Sequence, residues 1–357
     1  MKLKIRLLAM LWPVLSALSC VVAHAQVSAS GVATPRALGI GDTIPEAVWQ
    51  LPVQLVLPSG ATKITSLSEW RGKLIILDFM GLWCGNCIKA LPKLDSLQQT
   101  YNGQIQVVIT TDDRVSQLNQ FYARNAANNP LTLPAIAQDS VLRTYFPFKA
   151  VSHLVWITPT GVLATTTGTS YAQARYVQHI LDGKTPDWLP KIDQLHFDYN
   201  RPLFASSGIP LANGNIRSNI PLYSVLTGPL QGVQPRAVTV SDSTTASTRR
   251  AFINMSLYQL ILYSVGTHPL LLPDDRVVWA VEDPDLYRYK ADSDTHKATW
   301  MLLHGYSYET VYRDNDAPHQ WQQLLQADLR RYFPGLDFHL TNDTLYISDN
   351  PHTFQTY

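Results

Sequence analysis

The feature that most constrains this chain is a nearly continuous apolar run, Leu74-Ile75-Ile76-Leu77-Asp78-Phe79-Met80, followed closely by Cys84-Gly85-Asn86-Cys87. A run without polar alternation is expected of a strand covered on both faces. After the cysteines, Leu91, Leu94 and Leu97 recur at helical spacing, which predicts a helix over 88–101. The alternation continues with a strand over 105–110, a helix over 115–125 and a strand over 153–158. Pro159-Thr160-Gly161 then turns the chain into an antiparallel partner over 162–167, and a helix over 170–182 stops at Gly183. The pattern is α/β, and it accounts for less than half of the 357 residues.

The first residues bear on compartment. Lys2, Lys4 and Arg6 precede an apolar stretch from Leu7 to Ala23, and Ala23-His24-Ala25 places small residues where a signal peptidase cuts. Residues 1–25 are therefore expected to be a cleaved signal peptide. The alternatives are a membrane anchor, for which about 17 apolar residues with Pro13 among them are short, and lipidation at Cys20. Overall, 28 Lys and Arg stand against 27 Asp and Glu. No single-sign field exists to attract nucleic acid, and none is expected as a partner.

Cleavage would remove Cys20 and leave Cys84 and Cys87 as the only cysteines. An exported chain with two thiols three positions apart has no disulfide framework, and redox chemistry is the natural use of the pair. A zinc site is the alternative, but no second cysteine pair is present to complete four ligands, so no metal is expected. At the opening of a helix, the unpaired N–H groups favour the thiolate of the first cysteine. Cys84 is thus the expected nucleophile. Cys87, one turn in, is the resolving thiol that closes the Cys84–Cys87 disulfide.

The segment from Asp78 to Cys87 resembles the active-site segment of thioredoxins: Asp78 stands six residues before the first cysteine, Trp83 directly before it, and Pro92 five after the second. Upstream, Leu38 to Pro45 and Leu67 to Lys73 resemble the opening of exported thioredoxin-like reductases of the TlpA or ResA type, and Trp156 to Gly161 resembles a later strand-turn of that family. The resemblance covers about residues 38–183. It implies a thioredoxin fold, a central mixed β-sheet flanked by helices. It also implies Asp78 as proton acceptor for Cys87, with burial raising its pKa, and Trp83 at the substrate surface. Pro92 would kink the helix.

Two positions depart from the family. Asn86 replaces the proline common between the cysteines. Val151-Ser152-His153 places Ser152 where thioredoxins carry a cis-proline facing the substrate backbone. A cis bond before serine costs about 2.5–4 kcal/mol, so a trans bond is expected there. Ser152 and His153 are the further candidates for substrate contact, although a surface histidine is the commoner fate.

Residues 184–250 hold many Pro, Gly, Asn, Ser and Thr and read as a loop-rich connector, with 241–248 the most linker-like part. A smaller α+β domain is expected over 251–350 and resembles, loosely, a poorly characterised domain of exported bacterial proteins. Asn254 is expected to cap a helix over 255–265, and a second helix over 321–332 carries Leu324, Leu325 and Leu329. Strands are expected over 276–281, 286–291, 298–303, 337–340 and 344–348. Tyr287, Tyr289, Trp300, Tyr306, Tyr308 and Tyr312 are expected to pack in strands rather than to form a binding face.

The reading that follows is an exported, periplasmic thiol–disulfide oxidoreductase. The resemblance implies reduction of protein disulfides, no dissolved cofactor, and electrons from an upstream thiol donor such as a membrane reductase. The alternative is a redox-inert scaffold that presents the C-terminal domain.

Overall fold

A computed structural model describes residues 36–127, 130–203, 222–243, 246–291, 295–313 and 320–349. The expected signal peptide lies outside the described residues. Among those described, no helix is long and apolar enough to cross a membrane.

The first half is built from α1 (Glu46–Trp49), β1 (Val53–Val56), β2 (Thr62–Thr65), β3 (Leu74–Phe79) and α2 (Gly85–Thr100). It continues through β4 (Ile105–Thr110), α3 (Val115–Asn125), β5 (Ala135–Ala137), α4 (Leu142–Tyr145), β6 (His153–Ile157), β7 (Leu163–Thr167) and α5 (Ala174–Leu181). These strands form one sheet in the order β2-β1-β5-β4-β3-β6-β7. β3 runs parallel to β4 and antiparallel to β6, so the strand that leads into the cysteines lies inside a mixed sheet. This is the thioredoxin-like arrangement of a βαβ unit joined to a ββα unit.

Every residue of β3 is buried, for the reason its composition implied. Leu74 and Ile76 face Leu91 and Leu94 of α2, whereas Ile75, Leu77 and Phe79 face Trp49 and Phe146 on the other side. Short β1, β2 and β5 have no clear signature in the sequence. Three or four residues are too few to show a period, and β2 is mostly exposed.

The second half contains β8 (Tyr223–Thr227), β9 (Arg236–Asp242), β10 (Ser247–Ser256), α6 (Leu257–Ser264) and β11 (Val277–Ala280). It ends with α7 (Lys297–His304), β12 (Gly305–Arg313), α8 (Gln320–Tyr332), β13 (Asp337–Thr341) and β14 (Thr344–Ser348). One antiparallel sheet has the order β8-β12-β10-β9, and a smaller one the order β11-β14-β13. Leu260 and Ile261 of α6 and Leu325 and Leu329 of α8 close a core with Phe252, Tyr308, Phe338 and Ile347.

Several local expectations are corrected here. The stretch over 241–248 is no linker: it joins β9 to β10, whose residues Ser247 and Asp242 pair across the hairpin. Polar residues at a hairpin tip and in a linker have the same composition. Asn254 does not cap α6. It lies in β10 at a register shift with φ 52°, and Ser256 caps the helix in a reciprocal box with Gln259. Residues 298–303 are helical rather than extended, since only Trp300 of α7 is buried and no alternation is demanded. A Cβ at Gly305 would collide with the Met301 carbonyl, and its absence lets helix pass directly into β12. The strand expected over 286–291 is replaced by a 3-10 turn at Pro284–Leu286, begun by Asp283. Tyr287 and Tyr308 are fully buried and Trp300 nearly so, which places these aromatics in packing.

The C-terminal sheet has a charged centre. Arg249 Nη1 and Glu309 Oε2 are 2.7 Å apart with side chains 6% and 0% exposed. Glu309 also accepts from the Tyr223 hydroxyl at 2.5 Å and from the Leu203 backbone N–H at 3.1 Å. Removing one partner of such a pair strands the other charge away from water. Glu309→Ala is therefore expected to cost about 3–5 kcal/mol, read as a lower urea midpoint at an unchanged slope. A loss below 1 kcal/mol, on the scale of an exposed pair, would contradict this account.

Candidate active site

The β3 strand delivers the chain to the site and its neighbours hold the exit. Met80 N–H donates to the Thr110 carbonyl at 3.0 Å, at the end of β4. Leu82 N–H donates to Asp113 Oδ2 at 2.8 Å, and the same oxygen accepts from the Thr111 hydroxyl at 2.7 Å. Asp113 thus pins the loop just before the cysteines. No local signal in the sequence links it to a residue 31 positions away.

Cys84 is the N-cap residue of α2, and its sulfur accepts from the Cys87 backbone N–H at 3.2 Å. The two cysteines are joined as a disulfide across a Cα–Cα distance of 5.3 Å. They differ in access: Cys84 is half-buried, while Cys87 is 1% exposed among the core residues of α2. An incoming sulfur therefore meets Cys84 first. On reduction, the free N–H groups of the first helical turn would stabilise its thiolate. Pro92 lies inside α2, as expected.

Asp78 is fully buried in β3, and neither carboxylate oxygen has a hydrogen-bond partner among the described residues. Burial pushes its pKa up to about 7. By strand alternation its side chain shares the face of Leu74 and Ile76, the face covered by α2 and Cys87. The sequence expectation of a raised pKa therefore has its physical basis in an unpaired carboxyl within an apolar core.

Trp83 is 75% exposed directly beside the disulfide. Its indole lies so close over Gly81 that any Cβ there would displace it. A small cleft of about 60 Å3 adjoins it, lined by Phe79, Met80, Asp112, Arg143, Phe148 and Val151 among others. Val151 carries the loop across from Trp83.

Ser152 follows Val151 through a cis peptide bond, where a trans bond was expected. The expectation priced the bond in isolation, whereas here Val151 packs on the core and His153 is already paired in β6. His153 is no surface histidine. It is 3% exposed, stacked on Phe148 at 5.1 Å between ring centres, and on the sheet face away from α2. Burial, reinforced by Lys191, lowers its pKa to about 3 against the opposing pull of Asp193, so the ring is neutral at ordinary pH. Its Nδ1 accepts from Lys191 Nζ at 3.3 Å, and its Nε2 is buried without a partner among the described residues. Thus Cys84, Cys87, Trp83 and the Val151–Ser152 bend gather at one end of the sheet, Asp78 lies beneath them, and His153 faces inward. Among the described residues, no three His, Cys, Asp or Glu side chains converge as metal ligands would.

No protein-family model matches the chain. A thiol-disulfide oxidoreductase, ResA, from Geobacillus thermodenitrificans is 28% identical over 111 residues, which cover 30% of this chain and 58% of that protein. Thioredoxin 1 of Synechococcus elongatus is 35% identical over 52 residues, 14% of this chain and 49% of its own length. The chain thus spans about half the length of the curated relatives it matches. Among solved structures, a protein described as thiol:disulfide interchange protein DsbE from Chlorobium tepidum aligns with a TM-score of 0.33 at 20% identity, covering 41% of this chain and 98% of that one. A PrxQ variant from Xylella fastidiosa aligns with a TM-score of 0.33 at 16% identity, covering 42% and 96%.

Proposed function

We propose, from a cysteine pair carried by a thioredoxin-like domain similar to thiol–disulfide oxidoreductases, that this chain is an exported enzyme that reduces protein disulfides. The observation that carries the reading is the Cys84–Cys87 disulfide at the start of α2, with Cys84 half-buried and Cys87 buried. In the reduced enzyme, the Cys84 thiolate attacks one sulfur of a substrate disulfide. The substrate S–S bond breaks, a Cys84–substrate bond forms, and the first substrate thiolate leaves. Cys87 then gives its proton to Asp78 and attacks Cys84. This closes the Cys84–Cys87 bond and releases the second substrate thiolate, which takes up a proton. Two electrons pass from enzyme to substrate. An upstream dithiol donor, in our reading a membrane reductase, restores them by the reverse exchange.

Export rests on the leader over residues 1–25, with its basic start, apolar centre and Ala23-His24-Ala25. Trp83 supplies an exposed apolar surface next to the nucleophile, which suits a protein substrate.

The direction is tested by equilibrating the mature protein with graded thiol buffers and counting free thiols by mass. We expect a two-electron transition near roughly -270 mV, the range of reducing thioredoxins. A value near roughly -120 mV, that of strong periplasmic oxidants, would reverse the direction, and thiols that never pair would remove the redox reading.

A further inference from the structure

The connector after α5 returns to the rim of the active site. Lys191 and Asp193 form an ion pair of 2.6 Å with side chains 18% and 2% exposed. Neither is satisfied by the other alone. Lys191 Nζ also donates to the Ala150 carbonyl at 2.8 Å and to His153 Nδ1 at 3.3 Å. Asp193 Oδ2 accepts from the backbone N–H of Lys149 at 2.8 Å and of Ala150 at 3.1 Å. The two side chains therefore hold donors and acceptors of one short loop, Lys149 to His153, whose Val151 lines the cleft beside Trp83.

The support continues into the C-terminal half. Asp193 Oδ1 accepts from Gln234 Nε2 at 3.2 Å, and Gln194 N–H donates to the Gly232 carbonyl at 2.7 Å. The loop around Gly232 is fastened in turn by Asn254 of β10. Its amide donates to the carbonyls of Leu230 at 2.8 Å and Val233 at 2.6 Å, and accepts from the Leu230 N–H at 2.6 Å. The positive φ of Asn254 occurs at the register shift of β10, so the strand's irregularity and this fastening coincide. A charged pair withdrawn from water persists only when its bonding capacity is filled. Here the loop's own peptide groups fill it, together with His153 and Gln234.

Resting on the thiol-exchange reading above, we propose that Lys191 and Asp193 are positioning residues that shape the Lys149–His153 loop as the docking edge for a protein disulfide substrate. Gln234 and Asn254 make the C-terminal sheet part of that support. The second half of the chain thereby acts on substrate affinity without contributing a reacting group. A small disulfide needs only access to Cys84 and is indifferent to the loop.

The test uses the full mature chain with dithiothreitol as donor, insulin as protein substrate and a small aromatic disulfide as control. The double variant Lys191→Met with Asp193→Leu removes both charges together, so neither is left buried alone. We expect its KM for insulin to rise about tenfold with kcat held within about twofold, the signature of lost binding rather than lost chemistry. Turnover of the small disulfide and the potential of the Cys84–Cys87 pair should not move. Lys191→Met with Asp193→Asn likewise leaves no charge buried alone but keeps an oxygen for the two backbone donors, and its KM should fall back toward the native value. An unchanged insulin KM in the folded double variant overturns the proposal, as does an equal loss on both substrates. Should that variant fail to show a thermal transition, Gln234→Leu decides. Its insulin KM is expected to rise about threefold, on the scale of one lost hydrogen bond, and no change overturns the proposal. Wild-type protein inactive on both disulfides would instead bring down the exchange reading itself.

Discussion

Cys84→Ser is expected to abolish insulin reduction, with a loss on the order of a thousandfold or more, as for removal of any catalytic nucleophile. Cys87→Ser is expected to stop turnover as well, but at a different point. Cys84 still attacks, and with no resolving thiol the enzyme accumulates as a mixed disulfide that mass spectrometry reads as one enzyme plus one substrate. The asymmetry follows from access, since Cys84 is half-exposed at the helix start and Cys87 is 1% exposed beneath it. If Cys84→Ser trapped substrate and Cys87→Ser did not, the roles would be reversed. If neither affected turnover, chemistry would lie elsewhere in the chain.

Asp78→Asn is expected to change both stability and pH dependence. In the folded protein the Asp78 carboxyl titrates at about 7 because burial penalises its charged form, against an ordinary value of 3.8. Below 3.8 both folded and unfolded chains are protonated and the residue has no pH-linked effect. Between 3.8 and about 7 the unfolded chain releases the proton while the native chain retains it, so native stability falls as pH rises. Above that window the whole penalty persists, with an upper bound of about 4 kcal/mol at 1.36 kcal/mol per pKa unit. Asparagine carries no such penalty. The variant should gain roughly 2–4 kcal/mol at pH 8 and almost nothing at pH 3.5, measured by urea unfolding of the oxidised protein.

The same substitution removes the carboxylate that we propose as proton acceptor for Cys87. In the wild type the resolving step should accelerate as pH rises through about 7, where Asp78 ionises. In Asp78→Asn that step should slow at pH 7 by on the order of a hundredfold, and its midpoint should move toward the ordinary thiol value of about 8.5. Single-turnover release of the mixed disulfide across pH 5 to 9 separates these curves. Superimposable profiles would make Asp78 a core residue without a part in proton transfer.

Legibility in the sequence tracks sequence distance. The run Leu74 to Met80, the two cysteines and the leucines of α2 lie within one stretch, and each informs the next through a local period or a helix start. Asp78 was legible because its apolar neighbours already implied burial. His153 is less legible. A histidine at the start of a strand has no local mark of burial, and its neutral, inward state comes from burial against the Phe148 ring, reinforced by Lys191. In the second half, α8 and the strands β13 and β14 follow their patterns, but α7 does not. Its residues bury only Trp300, and the directness of its junction with β12 depends on Gly305 beneath the Met301 carbonyl.

By itself, then, the sequence determined the buried strand, the thiol pair at a helix start and the carboxyl beneath it, because those depend on residues that are neighbours in the chain. Tertiary structure alone decided what holds the site in place. Asp113 reaches back to Leu82, and Asp193 to Lys149 and Ala150, across separations of 31, 44 and 43 residues. A charged or polar side chain does not name its partner in a sequence. The partner is chosen when folding removes both from water and brings within reach the groups that can fill each one's bonding capacity.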